Sequence, residues 1–321
     1  MGRGDGVGGR WLLVANAGGH LAQLHRLAGR LPLVGHPVWV TNASAQSRSL
    51  LAGEDVIWVP EVAPRDGRNL VRCLVRSLPM TRHRPAAAVS TGSGIALGFL
   101  PVLASVGVSC HYIESATRAE GPSLTGRVMR YHPGVRLYTQ HPSWAGRRWH
   151  YAGSVFEGFE GRPRPDPPSV IRRAVVTVGT LNYPFERMLR AARAVLPADA
   201  DVLWQVGPAR FDPLAGVGRA SVPADELVAA MRQADVVIAH AGTGSALTAM
   251  ELGKCPVLIP REHSNAEHID DHQSQTAAFL AGLEIAVSRR VDELCPADLL
   301  VAAGREVVTA ADAPRLELRS R

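Results

Sequence analysis

Two short stretches hold residues whose kinds and spacing could carry out chemistry. In the second half of the chain, His240-Ala241-Gly242-Thr243-Gly244-Ser245 follows the apolar run Val236–Ala239 and precedes a helical pattern that begins at Ala246. A strand that breaks into small residues before a helix lets backbone N–H groups approach an anion closely, and the helix dipole adds partial positive charge. A diphosphate fits such a turn, although the glycines alone read equally well as a structural turn. After a further strand, Pro256–Pro260, a polar loop carries Glu267, His268, Asp270, Asp271, His272 and Gln273. Loops at the carboxyl ends of neighbouring parallel strands open on one crevice, so Asp271 and Gln273 could reach sugar hydroxyls attached to the bound phosphates.

The first half opens in the same way. Trp11–Asn16 has a buried-strand pattern and runs into Ala17-Gly18-Gly19-His20, followed by a helical stretch with leucines at 21, 24, 27 and 31. A helix N-terminus disfavours imidazolium, and a neutral ring is what a general base needs, so His20 is the first candidate base. The plainer reading is a histidine that caps the turn. Glu114, at the end of the strand Val108–Ile113, is the alternative base, with a salt bridge to a neighbour such as Arg118 as the competing reading.

The elements that must position these groups alternate between strand and helix. Val38–Thr41, Val56–Val59 and Ala86–Val89 read as strands, the last entering Ser90-Thr91-Gly92-Ser93-Gly94 and an apolar helix; Ala174–Val178 and Val202–Val206 continue the pattern. Ala224–Ala234 and Ser274–Ala281 read as helices, Leu283–Val287 as the last strand, and the tail from Ala310 as loosely ordered. Two such strand–turn–helix halves argue for an α/β chain of two Rossmann-like domains facing each other across a cleft. The proline-rich segment 157–173 is the expected semi-rigid linker, between domains at 1–156 and 174–321.

With 321 residues, 46% of them hydrophobic, the chain can fill two domain cores. No run approaches the roughly 20 apolar residues of a membrane span, and MGRGDGVGGR lacks a signal-peptide core, so a cytoplasmic location is expected. Cys73, Cys110, Cys255 and Cys295 have neither metal-site nor redox spacing and read as reduced and structural. The net charge is +6, but Lys254 is the sole lysine, and an arginine excess of this kind gives no reason to infer nucleic-acid binding. Helical angles over Arg68–Leu78 place Leu70, Val71, Leu74, Val75 and Leu78 on one arc beside Arg68, Arg72 and Arg76. Periodicity leaves a helix lying on an anionic membrane and an ordinary surface helix equally open.

The sequence HAGTGS, a helix, a strand ending in proline and then HxDDHQ, over residues 236–273, resembles the carboxyl-terminal domain of glycosyltransferase family 28. The resemblance implies a GT-B fold, a UDP-sugar donor and inverting transfer. It implies donor-binding roles for His240, Gly242, Thr243, Gly244, Ser245, His268, Asp271, His272 and Gln273. One position departs: where the family often has a ribose-binding glutamate stands Thr248, with Glu251 as the nearby substitute. VVTVGT and NYPFERML, from Val175, resemble the opening of the catalytic subunit of the two-subunit enzyme that adds the second GlcNAc to a lipid-linked diphosphate, and imply donor contacts at Gly179 and Thr180.

GGH, TGSG, YIES, SLTG and YTQHPSW, over 11–155, resemble the membrane-associated acceptor subunit of that enzyme and its bacterial exopolysaccharide relatives. The chain thus reads as a natural fusion of acceptor and donor halves. Gly18, Gly19, Thr91, Gly92, Ser93 and Ser115 are the implied acceptor-binding residues, the acceptor being a lipid-linked, polyprenyl-diphosphate saccharide or a related sugar. The resemblance also tips Arg68–Leu78 toward peripheral contact with the inner face of the plasma membrane. No DxD pair stands in a metal-binding context, so neither metal nor other cofactor is expected. Two other readings remain open: a UDP-sugar epimerase of similar fold, and a non-catalytic partner that binds a nucleotide-sugar or docks another transferase on the membrane.

Overall fold

The computed structural model describes residues 8–63, 66–179, 183–210, 218–265, 267, 272–310 and 313–319, and of His272 the backbone only. The chain divides into two compact units, Met1–Glu157 with Ala313–Arg321, and Gly158–Asp312.

Unit 1 runs β1 (Trp11–Val14), α1 (Gly19–Ala28), β2 (Val38–Asn42), α2 (Ala45–Leu50), β3 (Asp55–Val59), α3 (Gly67–Ser77), β4 (Ala87–Ser90), α4 (Ile95–Ser105), β5 (Ser109–Ile113), α5 (Leu124–Met129), β6 (Val135–Thr139) and β7 (Trp149–Tyr151). Its strands form one parallel sheet in the order β3-β2-β1-β4-β5-β6-β7. The central strand β1 is locked on both sides, Leu13 standing opposite Trp39 of β2 and Val89 of β4. Leu12, Leu13 and Val14 are fully buried, as expected of a parallel strand covered by helices on both faces. Leu21, Leu24 and Leu27 of α1 cover part of that sheet and are also fully buried.

Unit 2 contains β8 (Phe159–Pro163), β9 (Arg173–Thr177), α6 (Glu186–Val195), β10 (Asp201–Gln205), α7 (Ala224–Gln233), β11 (Val236–His240), α8 (Thr243–Glu251), β12 (Val257–Ile259), α9 (His272–Gly282), β13 (Val287–Ser288), α10 (Pro296–Ala303) and β14 (Arg305–Thr309). Five strands form a parallel sheet, β10-β9-β11-β12-β13, and β8 pairs antiparallel with β14. Val176 of β9 faces Trp204 on one side and Ile238 on the other, which fixes the register at the sheet centre.

The structure differs from the sequence reading in four places. Segment 157–173 is not a linker throughout, because Phe159–Pro163 forms β8, held to β14 by a ladder from Phe159–Thr309 to Pro163–Arg305. The last strand is β14, not Leu283–Val287. The tail is not loose: Leu316 is buried, its N–H donates to the Arg30 carbonyl at 3.0 Å, and Arg30 Nε donates to the Pro314 carbonyl at 2.6 Å. Residues 313–321 accordingly belong to unit 1 rather than to a domain 174–321. Finally, α8 starts at Thr243, three residues before the expected Ala246, so Thr243, Gly244 and Ser245 form its first turn. No helix among the described residues is long and apolar enough to cross a membrane.

Candidate active site

Each sheet has one place where successive crossovers run in opposite directions, and there the loops after two neighbouring strands part to leave a crevice. In unit 1 this switch point lies between β1 and β4, and in unit 2 between β9 and β11. His20, Thr91, Gly92 and Ser93 stand at the first of these points, and Gly179, His240, Gly242 and Thr243 at the second.

At the first switch point, His20 is the second residue of α1 and Thr91 follows β4. Thr91 Oγ1 donates to the His20 carbonyl at 2.7 Å, and His20 Nδ1 lies 2.9 Å from the Thr91 carbonyl. A carbonyl can only accept, so Nδ1 carries the proton and Nε2 of the neutral ring holds the lone pair. Burial lowers the His20 pKa against the opposing pull of the Thr91 hydrogen bond, with Arg118 adding to the lowering. A neutral, oriented imidazole with one basic nitrogen left over is the equipment of a general base.

Gly92 makes this packing possible. Its φ is +110°, and a Cβ there would stand 3.3 Å from His20 Nδ1 and 3.1 Å from the Tyr112 hydroxyl. Around the same turn, Gly18 (φ +97°) donates its N–H to Gln46 Oε1 at 2.6 Å, Ala17 donates to Asn42 Oδ1 at 2.7 Å, and Gly19 starts α1. Ser93, at φ +68°, accepts from Asn16 Nδ2 at 2.6 Å.

Glu114 does not serve as an open-faced base. It is fully buried, and its carboxylate accepts from Tyr112 Oη at 3.2 Å, the Ser115 N–H at 3.0 Å, the Ser123 N–H at 2.9 Å and Ser123 Oγ at 3.0 Å. Burial raises its pKa while the Ser123 and Ser115 donors and Arg118 pull the other way. The geometry gives Glu114 a structural task, pinning the loop after β5 to the start of α5. Ser115 is likewise buried, its hydroxyl accepting from Gln23 Nε2 at 3.0 Å. Gln23, one turn along α1 from His20, also accepts from the Ala116 N–H at 2.9 Å and from Gln140 Nε2 at 3.1 Å. The sequence signal for it was a glutamine on the apolar face of a leucine-patterned helix.

At the second switch point the His240 ring packs against two glycines. A Cβ on Gly179 (φ +74°) would fall 2.3 Å from His240 Cε1, and one on Gly242 would fall 2.2 Å from His240 Nε2. The loops after β9 and β11 therefore close on one imidazole, itself 6% exposed. Thr177 orders the first loop, accepting from the Gly179 N–H at 3.1 Å and donating to Gln205 Oε1 at 3.0 Å. The earliest N–H groups of α8 have no acceptor inside the helix; the turn closes with the Ala246 N–H on the Gly242 carbonyl at 3.1 Å. Thr243 Oγ1, buried in this first turn, has no hydrogen-bond partner among the described residues. Free N–H groups, a helix N-terminus and a spare hydroxyl suit phosphate oxygens.

The remaining donor candidates do not all gather there. Glu251 is the last residue of α8, exposed, and about 12 Å along the helix axis from Thr243 at 1.5 Å per residue. Thr248 Oγ1 donates to the Gly244 carbonyl at 2.9 Å, so its hydroxyl proton is used inside the helix. Gln273 is buried and its Oε1 accepts from the Arg261 N–H at 3.0 Å, which leaves its NH₂ to donate elsewhere. Thr180, His268 and Asp271 lie outside the described residues, as does the His272 side chain.

Residues 173–305 match the glycosyltransferase family 28 C-terminal domain. Over 90% of its length the chain is 26% identical to a UDP-N-acetylglucosamine–N-acetylmuramyl-(pentapeptide) pyrophosphoryl-undecaprenol N-acetylglucosamine transferase of Ralstonia nicotianae, covering 85% of that protein. A 56-residue segment, 17% of the chain, is 43% identical to a UDP-N-acetylglucosamine transferase subunit of Yarrowia lipolytica and covers 26% of it. Among solved structures, MurG of Acinetobacter baumannii matches with a TM-score of 0.55 and 16% identity, covering 91% of this chain and 88% of that one. The spinosyn forosaminyltransferase SpnP matches with a TM-score of 0.56 at the same identity and coverage. With two switch-point sites on two Rossmann-like sheets and a match to the family 28 C-terminal domain over the second, the chain is a glycosyltransferase of GT-B architecture.

Proposed function

We propose that the enzyme moves a sugar from a UDP-sugar to a hydroxyl of a lipid-linked, polyprenyl-diphosphate saccharide, with inversion. The observation that carries this reading is the His20–Thr91 pair, which leaves a neutral imidazole with its lone pair on Nε2 at the switch point of unit 1. In the proposed step, Nε2 takes the acceptor hydroxyl proton while the oxygen forms a bond to the anomeric carbon. The bond from that carbon to the diphosphate oxygen breaks, and UDP departs with the electron pair. Backbone N–H groups of Thr243, Gly244 and Ser245, together with Thr243 Oγ1, would stabilise the charge growing on the leaving diphosphate, at no reorganisation cost because they are already oriented. The names of the relatives, which contain UDP-N-acetylglucosamine and pyrophosphoryl-undecaprenol, support both substrate classes. No metal is assigned a role in this reading.

Contact with an anionic membrane through α3 belongs to the same proposal. Cys73 and Ser77 face inward, while Val71, Val75 and Leu78 are 57%, 59% and 55% exposed among the exposed Arg68, Arg72 and Arg76. Apolar side chains interleaved with arginines on an outward face suit a headgroup boundary, and such a surface would bring a lipid-linked acceptor within reach.

The test joins binding to turnover. UDP should stabilise the wild-type chain against heat, with or without EDTA, and turnover with a UDP-sugar and a polyprenyl-diphosphate acceptor should survive EDTA. His20→Ala should keep UDP binding and lose turnover by about 10²- to 10⁴-fold. Absence of any shift with UDP would refute the donor assignment, and full activity of His20→Ala would refute the base.

A further inference from the structure

Among the described residues of unit 2, Arg261 is the largest fully enclosed charged side chain, and neither the sequence motifs nor the chemistry above gives it a task. It follows β12 immediately after Pro260, and each of its bonds reaches a different segment. Nη2 donates to the Val178 carbonyl at 2.8 Å, and Nη1 donates to the Tyr183 carbonyl at 2.7 Å and to the Glu267 carbonyl at 3.2 Å. The Arg261 N–H donates to Gln273 Oε1 at 3.0 Å. Beneath the guanidinium lies the Phe185 ring, 4.9 Å from Cζ to the centroid.

Those contacts have a common geometry. Val178 immediately precedes Gly179, the glycine that packs on His240, and Gln273 is the second residue of α9. A single residue thus grips the backbone beside the glycine turn with its side chain and the Gln273 amide with its main chain. A planar guanidinium can satisfy three carbonyls from a fixed fork, whereas an ammonium presents its donors from one point. Enclosing a charge is costly, the more so here because Arg261 Nε has no hydrogen-bond partner among the described residues, so the fold retains Arg261 at a place where an apolar residue would be easier to bury. The direct acceptors of the guanidinium are carbonyl oxygens, and the nearby acid, Glu267, turns its carboxylate to Arg187 at 3.4 Å and to the Glu262 N–H at 3.1 Å.

We propose that Arg261 is a positioning residue for the donor, holding the Gly179 turn and the Gln273 amide at the separation that a UDP-sugar spans. This rests on the assignment of the donor site to unit 2 made above. Arg261 touches no reacting atom in this account and acts through the two segments it joins. Losing the fork should therefore weaken the ligand that spans both segments more than the one that occupies the turn alone. UDP reaches the turn; UDP-N-acetylglucosamine, used as a probe, carries a sugar beyond it.

The experiment is a pair of calorimetric titrations, UDP and UDP-N-acetylglucosamine, on the full chain as wild type, Arg261→Lys and Arg261→Gln, with the unfolding temperature of each protein recorded. The expected result is a loss of affinity for UDP-N-acetylglucosamine of about tenfold or more, the scale of one lost charged hydrogen bond, with a clearly smaller loss for UDP. Arg261→Lys should recover part of the loss seen in Arg261→Gln because it keeps the positive charge on a side chain long enough to reach one of the carbonyls. Variants that melt earlier yet bind both ligands as wild type does, or lose both equally, would overturn the proposal and leave Arg261 a purely structural residue. Hydrogen exchange on the wild-type chain serves if neither variant folds. UDP-N-acetylglucosamine should slow exchange in peptides bearing Val178 and Gln273 together, and slowing confined to one of them would overturn the proposal. A wild-type chain that binds neither ligand overturns the donor site itself, an outcome separate from either result on the variants.

Discussion

Replacing Gly242 with alanine isolates one physical effect. The backbone there has φ −79° and ψ 133°, which any residue adopts, so alanine brings no backbone strain. What it brings is a methyl group 2.2 Å from His240 Nε2 and 2.9 Å from Cδ2 and Cε1, well inside van der Waals contact with a ring that is 6% exposed. Gly179 crowds the same ring, a Cβ there falling 2.3 Å from His240 Cε1, which leaves the imidazole little room to shift. Forcing a methyl into such a site costs about 1–3 kcal/mol. For a unit of about 150 residues each kcal/mol lowers the unfolding temperature by about 2–4 °C, so Gly242→Ala should melt roughly 2–12 °C below wild type. The assay is a double-mutant cycle by thermal unfolding, with His240→Ala as the second arm. Removing the imidazole opens the volume the methyl needs, so Gly242→Ala in that background should be near neutral, and the coupling should equal most of the single-variant cost. Equal destabilisation in both backgrounds would refute the argument that the glycine is there for the ring. UDP affinity should fall with Gly242→Ala as well, because a displaced ring shifts the start of α8. Gly179→Ala should be the worse variant, since it adds about 1 kcal/mol of left-handed backbone strain at φ +74° to a contact of 2.3 Å.

Three further outcomes follow from the structure. Glu114→Gln sets an amide NH₂ against a backbone or hydroxyl donor in a buried site, so unit 1 should lose about 1–3 kcal/mol in thermal unfolding with UDP affinity unchanged; a large loss of turnover at unchanged stability would restore Glu114 as a base. His111, buried and beside Arg136, has its pKa lowered from 6.5 to about 4, mainly by burial. Protonation therefore favours unfolding: the stability it contributes is intact above pH 6.5 and is lost as pH falls toward about 4, by about 3 kcal/mol in all. His111→Gln should flatten the stability–pH curve in that window, and an unaltered curve would contradict the assignment. Changing Arg68, Arg72 and Arg76 together to glutamine should weaken binding to anionic vesicles by roughly hundredfold at about 1 kcal/mol per charge, measured by co-sedimentation; undiminished binding would make α3 an ordinary surface helix.

The parallel strands and the two glycine turns were legible because a strand buried on both faces must be apolar throughout and because glycines cluster where the chain turns tightly. Trp11–Val14, Val236–His240 and the turns after them could be read from local pattern alone. The ribbon of β8 and β14 could not: FEGRP is polar and ends in proline, and its partner REVVT lies far along the chain, so no local signal announces the pairing. Glu114 was read as the alternative base, against a salt-bridging role, from its place at a strand end, which is where catalytic carboxylates sit, but strand ends also hold carboxylates that tie down loops. What distinguishes the two is whether donors surround the oxygens, and Ser123, nine residues on, is a contact only the fold supplies. Arg261 carried no motif at all, since its role depends on Val178 and Tyr183, about eighty residues earlier in the chain. The family glutamate missing at Thr248 was visible at once, but that Glu251 stands at the wrong end of α8 follows from where the helix stops.

The return of residues 313–319 to unit 1 bears on how the protein is made. Ribosomes release the chain from its amino terminus, so most of unit 1 emerges first, all of unit 2 next, and the segment bearing Pro314 and Leu316 only afterward. Until it arrives, Arg30 lacks the Pro314 carbonyl and the Leu316 N–H lacks its place on the Arg30 carbonyl. Nascent unit 1 must then persist through the synthesis of roughly 150 residues with that seam open, while unit 2, contiguous from Gly158 to Asp312, can close as soon as it has left the exit tunnel. The first unit to be translated is the last to be finished.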